Sequence, residues 1–547
     1  MPPRTIDAES DPPAAGRPSG GSARAKLAGA TSLLAASVLL SRILGYVRDA
    51  IINAKFGQGQ TNDLYANSFN IPDTLYFVIA GGAISSAFIP VFSSYWARKE
   101  EDEAWTVFST VLTLMVPIIA TIVVLMEVYA YPLSALMAPN WPPDRIAQLA
   151  TLTRIVLPAQ LCFFIGSVLI GTQNARGNFV GQAVGPLIYN LCIILGGLWL
   201  SKTHSIAGFS WGAMIGAILG PLLLQIVLVK RLGVRFKPSL NFRHPGVIQV
   251  GMLALPVLLG LSLPQIDLVI NKWFATFLAD GRVAALNNAN RLMQVPLGVF
   301  AQSAGIALLP ALSAQAAVLD FAAFRISVNR GVRSIIALTM PISAIMVALS
   351  IPIVKIAYER GKFGPADTYH CAVALVFYSV GIFAWSAQAI IARAFYALHD
   401  TRTPIVVGTL MTFLFIPMNW LLMRPLDHGG LALSTTIAAA LHSLILLELL
   451  RRRVGGLHMT LLAQSFVKVT LASAVCGAAA WVAYYLVLGH VIHSHRILAL
   501  LVRFVVSSGV AGLVYAGAVT LLKVEEARES WQVVARRFGG RKARSAA

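Results

Sequence analysis

The chain has 547 residues, of which 57% are hydrophobic and 12% charged, and its formal net charge is +20. Soluble proteins carry about 25% charged residues, so this chain lacks the polar surface that a soluble protein of its length requires. The composition excludes a water-exposed globular protein. It predicts an all-α, polytopic membrane protein whose apolar surface faces lipid.

Apolar runs long enough to cross a bilayer recur from residue 28 to residue 522. A membrane helix needs roughly 20 mostly apolar residues, and on that criterion we predict about fourteen spans. They lie at about 28–53, 64–95, 105–130, 148–173, 179–201, 207–229, 247–277, 284–315, 332–355, 368–397, 403–423, 430–450, 463–489 and 498–522. Residues 1–27 are predicted to be a disordered basic tail, and residues 523–547 a second basic tail.

Lysine and arginine are distributed unevenly between the two sides of the predicted membrane. With the N-terminus inside, the inner loops and tails hold 26 of these residues and the outer loops hold 9. The richest inner segment is the linker 231–246, just after Lys230. The positive-inside rule therefore predicts that both termini are cytoplasmic. Because most of the positive charge is explained by topology, the sequence does not favour nucleic acid as a partner.

Two segments separated by 220 positions resemble each other: AFIPVFSSY at 87–95 and ALLPALSAQ at 307–315. Within these segments Pro90 matches Pro310. Outside them, Asn67 and Asn70 match Asn287 and Asn290 at the same offset. Six spans separate the copies, so both copies run in the same direction. This predicts two pseudo-symmetric six-helix lobes, at 28–230 and 247–450, with a substrate site between them and a C-terminal helix pair at 463–522 outside the repeat. Chance similarity between apolar segments is the alternative.

The first span places Arg42, Arg48 and Asp49 inside a predicted membrane helix. An arginine at the centre of such a helix costs about 2.5–3.5 kcal/mol on insertion scales, so it needs a cavity, a partner or a function. On an ideal helix the two arginines are about 120° apart. They converge on one ligand only if the helix bends, for which Gly45 is the candidate hinge, or if the cavity wraps around the helix. The alternative for Arg48 and Asp49 is a snorkelling ion pair at the outer interface.

Other predicted spans supply polar residues to the same cavity. Unpaired amides facing lipid would cost several kcal/mol, so dense asparagines predict an interior surface. Lys272, in the seventh span, is a further candidate cation. The remaining residues are Asn62, Asp63, Asn67, Asn70 and Asp73 in the second span and Asn287, Asn288, Asn290, Arg291 and Gln294 in the eighth. Because guanidinium groups bind phosphate oxygens in pairs, the cationic balance predicts an anionic, phosphate-bearing substrate.

No Walker motif, zinc signature or nucleophile elbow occurs in the sequence. Such motifs mark ATPases, metalloenzymes and hydrolases, so we expect a transporter without enzymatic activity or an organic cofactor.

The stretches SRILGYVRDAIINAKFG, AISSAFIPVF and NRLMQVPLGVF resemble the MurJ (MviN) lipid II flippases. That family belongs to a superfamily with the MATE exporters and the O-antigen flippases. The resemblance implies a substrate of undecaprenyl pyrophosphate bearing the peptidoglycan disaccharide-pentapeptide, moved from the inner to the outer leaflet of the bacterial cytoplasmic membrane by alternating access. It also implies a groove for the lipid tail between the last two helices, a role in peptidoglycan biosynthesis and cell shape, and the cell-wall synthesis machinery as the expected protein partner.

The resemblance also assigns roles to individual residues. The family's functional arginines fall on Arg42, Arg48 and Arg291. The neighbouring substrate-binding positions are Ser41, Asp49, Asp63, Asn70, Asn290 and Gln294. Tyr76 and Phe77 stand where many relatives have two arginines, and Asn290 and Gln294 stand where relatives often have acids. These departures put the head-group geometry and any proton coupling in doubt.

Some relatives bind sodium between helices seven, eleven and twelve. Asp267, Asn419 and Thr435 stand at comparable places in this chain, but a second carboxylate expected near Met423 is missing. A sodium site at these residues is therefore an expectation that the resemblance supports only in part.

Three alternatives to lipid II transport stay open on the sequence. The first is a flippase for another polyprenyl-pyrophosphate glycan, such as an O-antigen or capsule unit. The second is a cation-coupled multidrug exporter, which would need dominant carboxylates rather than arginines in its cavity. The third is a scaffold without transport activity, in which the cavity arginines would tolerate neutral replacement.

Overall fold

The structure is a computed structural model that describes residues 21–79, 83–261, 263–491 and 497–524. Within these residues every regular element is helical. The helices up to the linker are α1 (Gly21–Phe56), α2 (Gln60–Ser68), α3 (Asn70–Ile79), α4 (Ala83–Ala97), α5 (Glu101–Val128), α6 (Ala130–Met137), α7 (Pro143–Val156), α8 (Ala159–Ala175), α9 (Val180–Trp199), α10 (Ser201–His204), α11 (Ala207–Ala217) and α12 (Gln225–Arg231). A π-helical segment, Ile218–Leu224, connects α11 to α12.

The helices that follow the linker extend to residue 521. Its helices are α13 (Pro245–Leu261), α14 (Leu263–Ala275), α15 (Arg282–Pro296), α16 (Gln302–Ala317), α17 (Phe321–Ala348), α18 (Ser350–Tyr358), α19 (Pro365–Val380), α20 (Ile382–Ala397), α21 (Arg402–Arg453), α22 (Met459–Trp481), α23 (Leu488–Val491) and α24 (Ile497–Leu521). Two further π-helical segments, Leu297–Ala301 and Val482–Val487, connect α15 to α16 and α22 to α23.

All fourteen predicted spans fall on helices. Within the described ranges, nine helical runs are long and apolar enough to cross a membrane, and the pair α19–α20, bent by 41°, makes a tenth. One of the nine, α21, contains two predicted spans and turns at Asp427, whose φ is 52° and ψ is −140°. The predicted spans 28–53, 64–95 and 247–277 are not among the nine, and they are the ones that hold Arg42, Asp73 and Lys272. The architecture is therefore the predicted all-α polytopic one.

The N-terminal boundary differs from the prediction. Helix α1 begins at Gly21, so residues 21–27 are helical and do not belong to a disordered tail. Residues 1–20 and 525–547, which make up the rest of the two predicted tails, lie outside the described residues.

The linker 231–246 lies along α5. The backbone N–H of Lys237 donates to Ser109 Oγ at 3.1 Å, and that of Ser239 donates to Thr113 Oγ1 at 3.3 Å. Beside α13, His244 Nε2 contacts Glu103 Oε2 at 2.6 Å. These contacts join the linker to the first lobe over its whole length.

Helix α13 packs with the first lobe, although its sequence belongs to the second repeat. Val250 and Ala254 are buried in the same apolar cluster as Phe88 and Phe108 of α4 and α5. Helix α14, by contrast, packs against α21. Helix α13 therefore packs on the first lobe and α14 on the second, while the domain boundary at the linker stays a prediction.

Glycines allow α9 and α11 to approach closely. Gly208, Gly212 and Gly216 repeat every four residues along α11, so they share one face. An added Cβ at Gly212 would lie 2.7 Å from Cys192 O, and one at Gly196 would lie 2.5 Å from the Gly212 Cα. Membrane helices commonly associate through small residues at this spacing.

We expect the substitution Gly212→Val to destabilise the protein by about 1–3 kcal/mol, because the valine would overpack a backbone contact. The measurement is the thermal unfolding midpoint of the purified protein in detergent. The matched control is Gly512→Val, since nothing lies within 4 Å of an added Cβ at Gly512. Equal midpoints for the two variants would contradict the proposed close packing.

Candidate functional site

A carboxylate on α1 binds two arginines at the centre of the molecule. Asp49 Oδ1 accepts a hydrogen bond from Arg48 Nε at 3.0 Å, and Asp49 Oδ2 accepts one from Arg291 Nη1 at 2.5 Å. The Asp49 side chain is 8% exposed. Arg48 belongs to the first lobe and Arg291, on α15, to the second, so this cluster joins the lobes. Two guanidinium groups and one carboxylate leave it with a net positive charge.

Hydrogen bonds to neighbouring helices orient the cluster. Tyr46 Oη donates to the backbone oxygen of Arg291 at 2.5 Å. Arg48 Nη1 donates to Asn190 Oδ1 at 3.2 Å, and Asn190 Nδ2 donates to Ser41 Oγ at 3.2 Å. Sequence reasoning missed Asn190, although an asparagine in the middle of the apolar run 179–201 was an available signal.

Three adjoining cavities surround the cluster. The largest, about 450 Å³, lies between the lobes and is called the interlobe cavity. A second, about 360 Å³, lies among α14, α15, α16, α20 and α21 and is called the C-lobe chamber. A third, about 190 Å³, is called the junction because it shares lining residues with both. The junction is lined by Arg42, Gly45, Tyr46, Asp49, Arg291, Gln294 and Val295.

Arg42 and Arg48 face different cavities, as their separation around the helix axis requires. Arg42 lines the junction and the C-lobe chamber, whereas Arg48 lines the interlobe cavity. Arg291 lines the junction and the interlobe cavity. Helix α1 runs without interruption through Gly45, so connected cavities around the helix, rather than a break in it, bring these arginines to one site. A bend at Gly45 stays a prediction.

Gly298 makes room for Arg42. An added Cβ at Gly298 would lie 2.1 Å from Arg42 Nη1. Gly298 belongs to the π-helical segment between α15 and α16. A side chain at this position would therefore displace the guanidinium of Arg42 from the junction.

Lys272 adds a cation to the interlobe cavity. Its Nζ donates to Asn70 Oδ1 at 2.8 Å and to Ala66 O at 3.1 Å, and both acceptors lie on the opposite lobe. Within the described ranges no carboxylate oxygen lies within salt-bridge distance of Nζ, although Asp73 lines the same cavity. Lys272 is therefore a basic group whose charge is not neutralised by direct contact.

The remaining predicted substrate residues lie close to the cluster. Gln294 Nε2 donates to Asn290 Oδ1 at 2.6 Å. Both residues line the C-lobe chamber and the interlobe cavity, and Gln294 also lines the junction. Asn70, which binds Lys272, is 2% exposed and donates to Asn67 Oδ1 at 2.9 Å.

Asp63 is not part of these cavities. Its carboxylate accepts hydrogen bonds from the backbone N–H groups of Gly281 at 2.6 Å and Ala284 at 2.8 Å, at the start of α15. Arg145 Nη2 lies 3.5 Å from the same carboxylate, and Arg145 Nη1 lies 2.5 Å from Asp280. A carboxylate at a helix N-terminus satisfies N–H groups and interacts favourably with the helix dipole. Asp63 thus holds the lobes together at the predicted outer end, a structural position rather than the predicted substrate contact.

Asp63 and Arg145 belong to a group of contacts that we call the outer closure. A close backbone contact and a shared amide oxygen complete it. Gly281 has φ 87°, and a Cβ there would lie 2.2 Å from Gln58 O. Asn53 Oδ1 accepts from Asn62 Nδ2 at 2.8 Å and from Asn288 Nδ2 at 3.0 Å. All three asparagines are less than 7% exposed. The outer end of the space between the lobes is therefore closed by buried polar contacts.

The hydrogen bonds of the three sodium candidates do not connect all three residues to one partner. Asp267 Oδ1 accepts from Thr412 Oγ1 at 2.8 Å. Asn271, in contrast, connects the other two: it accepts from Asn419 Nδ2 at 3.2 Å and donates to Thr435 Oγ1 at 2.7 Å. Asn419 Oδ1 is buried and has no hydrogen-bond partner among the described residues. These oxygen donors are of the kind that hard cations prefer.

Because Asp63 caps α15 of the opposite lobe, we expect Asp63→Ala to weaken the outer closure by about 2 kcal/mol, the scale of a hydrogen bond to a charged group. The measurement is the distance distribution between spin labels at the exposed residues Asn140 and Arg360, one on each lobe. The variant should populate longer distances. The control is Asp144→Ala, which removes an exposed carboxylate from the same end. A shift of equal size in both variants would refute the role of Asp63.

Comparison with known families gives a match over most of the chain. The family model described as "Lipid II flippase MurJ" matches residues 52–505. The matched range begins just after Arg42, Arg48 and Asp49, so the arginines of α1 lie outside it.

Several curated relatives match over most of their own length. The chain is 29% identical to a probable lipid II flippase MurJ of Synechocystis, over 85% of this chain and 89% of the relative. It is also 29% identical to the corresponding protein of Haemophilus influenzae, over 82% of this chain and 90% of the relative.

Solved structures share the fold at low sequence identity. A lipid II flippase MurJ in an inward closed conformation matches with a TM-score of 0.74 and 23% identity, over 89% of this chain and 98% of that one. An inward-facing MATE multidrug transporter matches with a TM-score of 0.63 and 12% identity, over 76% and 94% of the two chains. The fold is therefore common to both kinds of transporter.

Proposed function

The chain belongs to the lipid II flippase MurJ family, and from that premise we propose that it moves lipid II from the inner to the outer leaflet of the bacterial cytoplasmic membrane. Lipid II is undecaprenyl pyrophosphate carrying the disaccharide-pentapeptide unit of peptidoglycan. The protein then serves cell-wall biogenesis by transporting a lipid-linked precursor.

The observation that carries this proposal is the junction between Arg42 and Arg291. These side chains come from different lobes and line one cavity of about 190 Å³. Guanidinium groups bind phosphate oxygens through paired, charge-assisted hydrogen bonds. In a membrane interior such bonds are weakly screened, so a pyrophosphate is a fitting ligand for the junction.

Transport by alternating access requires that the lobes separate at one end at a time. The outer closure at Asp63 and Asn53 supports a conformation closed on the predicted outer side. With both termini placed in the cytoplasm, opening of this closure would deliver the head group outward. Proteins of the cell-wall synthesis machinery would receive the product there.

The charge of the cavities favours lipid II transport over the export of cationic drugs. A multidrug exporter for cationic compounds would need carboxylates to dominate its cavity, whereas the junction has Arg42 and Arg291 beside one carboxylate, Asp49, which is bound by two arginines. The likeness to MATE transporters concerns the fold alone. Transport of another polyprenyl-pyrophosphate glycan remains the nearest rival, because it would use the same arginines.

We expect Arg42→Ala and Arg291→Ala each to abolish growth when the protein is the sole flippase of a depleted bacterium, because each removes a phosphate-binding guanidinium. The measurement is colony formation, with membrane levels checked by immunoblot. The matched control is Arg154→Ala, since Arg154 is exposed and its Nε donates to Glu127 O outside the cavities. Normal growth of the Arg42 and Arg291 variants would contradict the proposed function and favour the scaffold hypothesis.

Sodium binding at Asp267, Asn419 and Thr435 is a separate proposal. If Asp267 and the unpartnered Asn419 Oδ1 hold the ion, replacing sodium with choline should weaken lipid II binding by the wild-type protein. Asp267→Asn should remove this dependence, because it removes the one negative charge of the candidate set. Titration of lipid II in both salts measures the effect, with Glu448→Gln, an exposed carboxylate on α21, as the control. Equal affinity of the wild type in both salts would refute sodium coupling.

A further inference from the structure

The C-lobe chamber differs in charge from the other two cavities. Its polar lining includes Gln302 of α16, Gln388 of α20 and His442 of α21, with the ring of Trp385 beside them. Its one carboxylate, Asp267, accepts a hydrogen bond from Thr412. Arg42 stands at the border that the chamber shares with the junction. Beyond that border the chamber offers amides, hydroxyls and an imidazole.

His442 presents an unused hydrogen-bonding group in this chamber. Gln388 Nε2 lies 3.0 Å from His442 Nδ1. Because an amide nitrogen only donates, Nδ1 accepts and the ring hydrogen resides on Nε2. His442 Nε2 is buried and makes no hydrogen bond of normal geometry among the described residues, although the backbone of Pro404 lies close to the ring. An acceptor on a ligand could replace this weak contact once the ring turned toward the chamber.

The position of the chamber relative to the junction limits what can enter it. Arg42 and Gln294 line both cavities, so the two are continuous. A phosphate held between Arg42 and Arg291 would therefore have the group attached to it at the entrance of the chamber. The chamber volume of about 360 Å³ falls within the usual range of small-ligand sites.

The interlobe cavity is less suited to an uncharged group. It is lined by the charged residues Arg48, Asp49, Asp73 and Lys272. An uncharged ligand that excluded water from these groups would leave them without compensation. The C-lobe chamber has two charged lining residues, Arg42 and Asp267, so fewer charges would lose water there.

We propose that the C-lobe chamber is the binding subsite for the sugar next to the pyrophosphate. Gln302, Gln388 and His442 hydrogen-bond its hydroxyl and amide groups, and Trp385 covers an apolar face of the ring. This inference rests on the proposed function, because it takes the pyrophosphate to lie in the junction. It makes these residues determinants of head-group specificity, distinct from the arginines that bind phosphate.

The test compares two lipids that differ in the sugar. Binding of lipid II and of undecaprenyl pyrophosphate without sugar is measured on the full-length protein in nanodiscs. We expect His442→Leu and Gln388→Leu each to weaken lipid II binding about tenfold, the effect of losing a buried hydrogen bond, and to leave undecaprenyl pyrophosphate binding unchanged. Arg42→Ala should weaken the binding of both lipids. His442→Gln, which keeps a donor, should restore most of the affinity for lipid II.

The matched control is Gln182→Leu, which changes an exposed glutamine that binds Asn174 outside the chamber. Unchanged affinity for undecaprenyl pyrophosphate also shows that the chamber variants fold. If the chamber variants weaken both lipids equally, or neither, the subsite is overturned while the proposed function stands. If the wild type binds undecaprenyl pyrophosphate but not lipid II, the proposed function itself fails.

Discussion

The bond between Asp49 and Arg291 is the interaction on which the site depends. It joins α1 to α15 across the space between the lobes, and Arg48 shares the same carboxylate. Removing one member of a buried ion pair leaves the other charge uncompensated, which costs more than the pair contributes. Asp49 therefore stabilises both guanidinium groups, which repel each other. A phosphate that enters the junction competes with Asp49 for Arg291, so substrate binding and contact between the lobes involve the same guanidinium.

The contacts between α1 and the eighth span follow an antiparallel order. Arg42 lies against Gly298, Asp49 binds Arg291, and Asn53 binds Asn288. Each step toward the end of α1 is thus a step toward the beginning of α15. At the predicted outer end the series continues into the capping of α15 by Asp63. Arginines take part in the first two of these contacts and amides in the third, which lies next to the closed end.

Most of the fold could be predicted from the sequence, because helices that face lipid must be apolar. The apolar runs follow from local patterns, whereas the count of fourteen spans and the repeat at Pro90 and Pro310 stay predictions. The same reasoning placed Arg42 and Arg291 in one cavity because a charge inside a membrane requires a compensating environment. It also separated Arg42 from Arg48 correctly by helical phase alone.

The errors in the sequence analysis have a common physical origin in contacts between distant segments. Asp63 was assigned to the substrate by the family resemblance, whereas the backbone N–H groups that it caps belong to a helix more than two hundred residues away. Asn190 and His442 were overlooked because single polar residues in apolar runs carry no periodic signal. The start of α1 at Gly21 differs from the prediction because Arg24 and Lys26 lower the hydropathy of residues 21–27, although arginine, lysine and alanine all favour a helix.

The linker is attached to α5, and α13 packs on the first lobe. The linker is therefore not the point at which the chain passes from one packed lobe to the other. The linker 231–246 is attached to the first lobe, so it does not act as a flexible connection between the two lobes. Helices α13 and α14, which pack on different lobes, both belong to the predicted span 247–277. Lengthening or shortening the cytoplasmic linker would therefore not change how far the two lobes can separate. A fluorophore attached there would report on the first lobe alone.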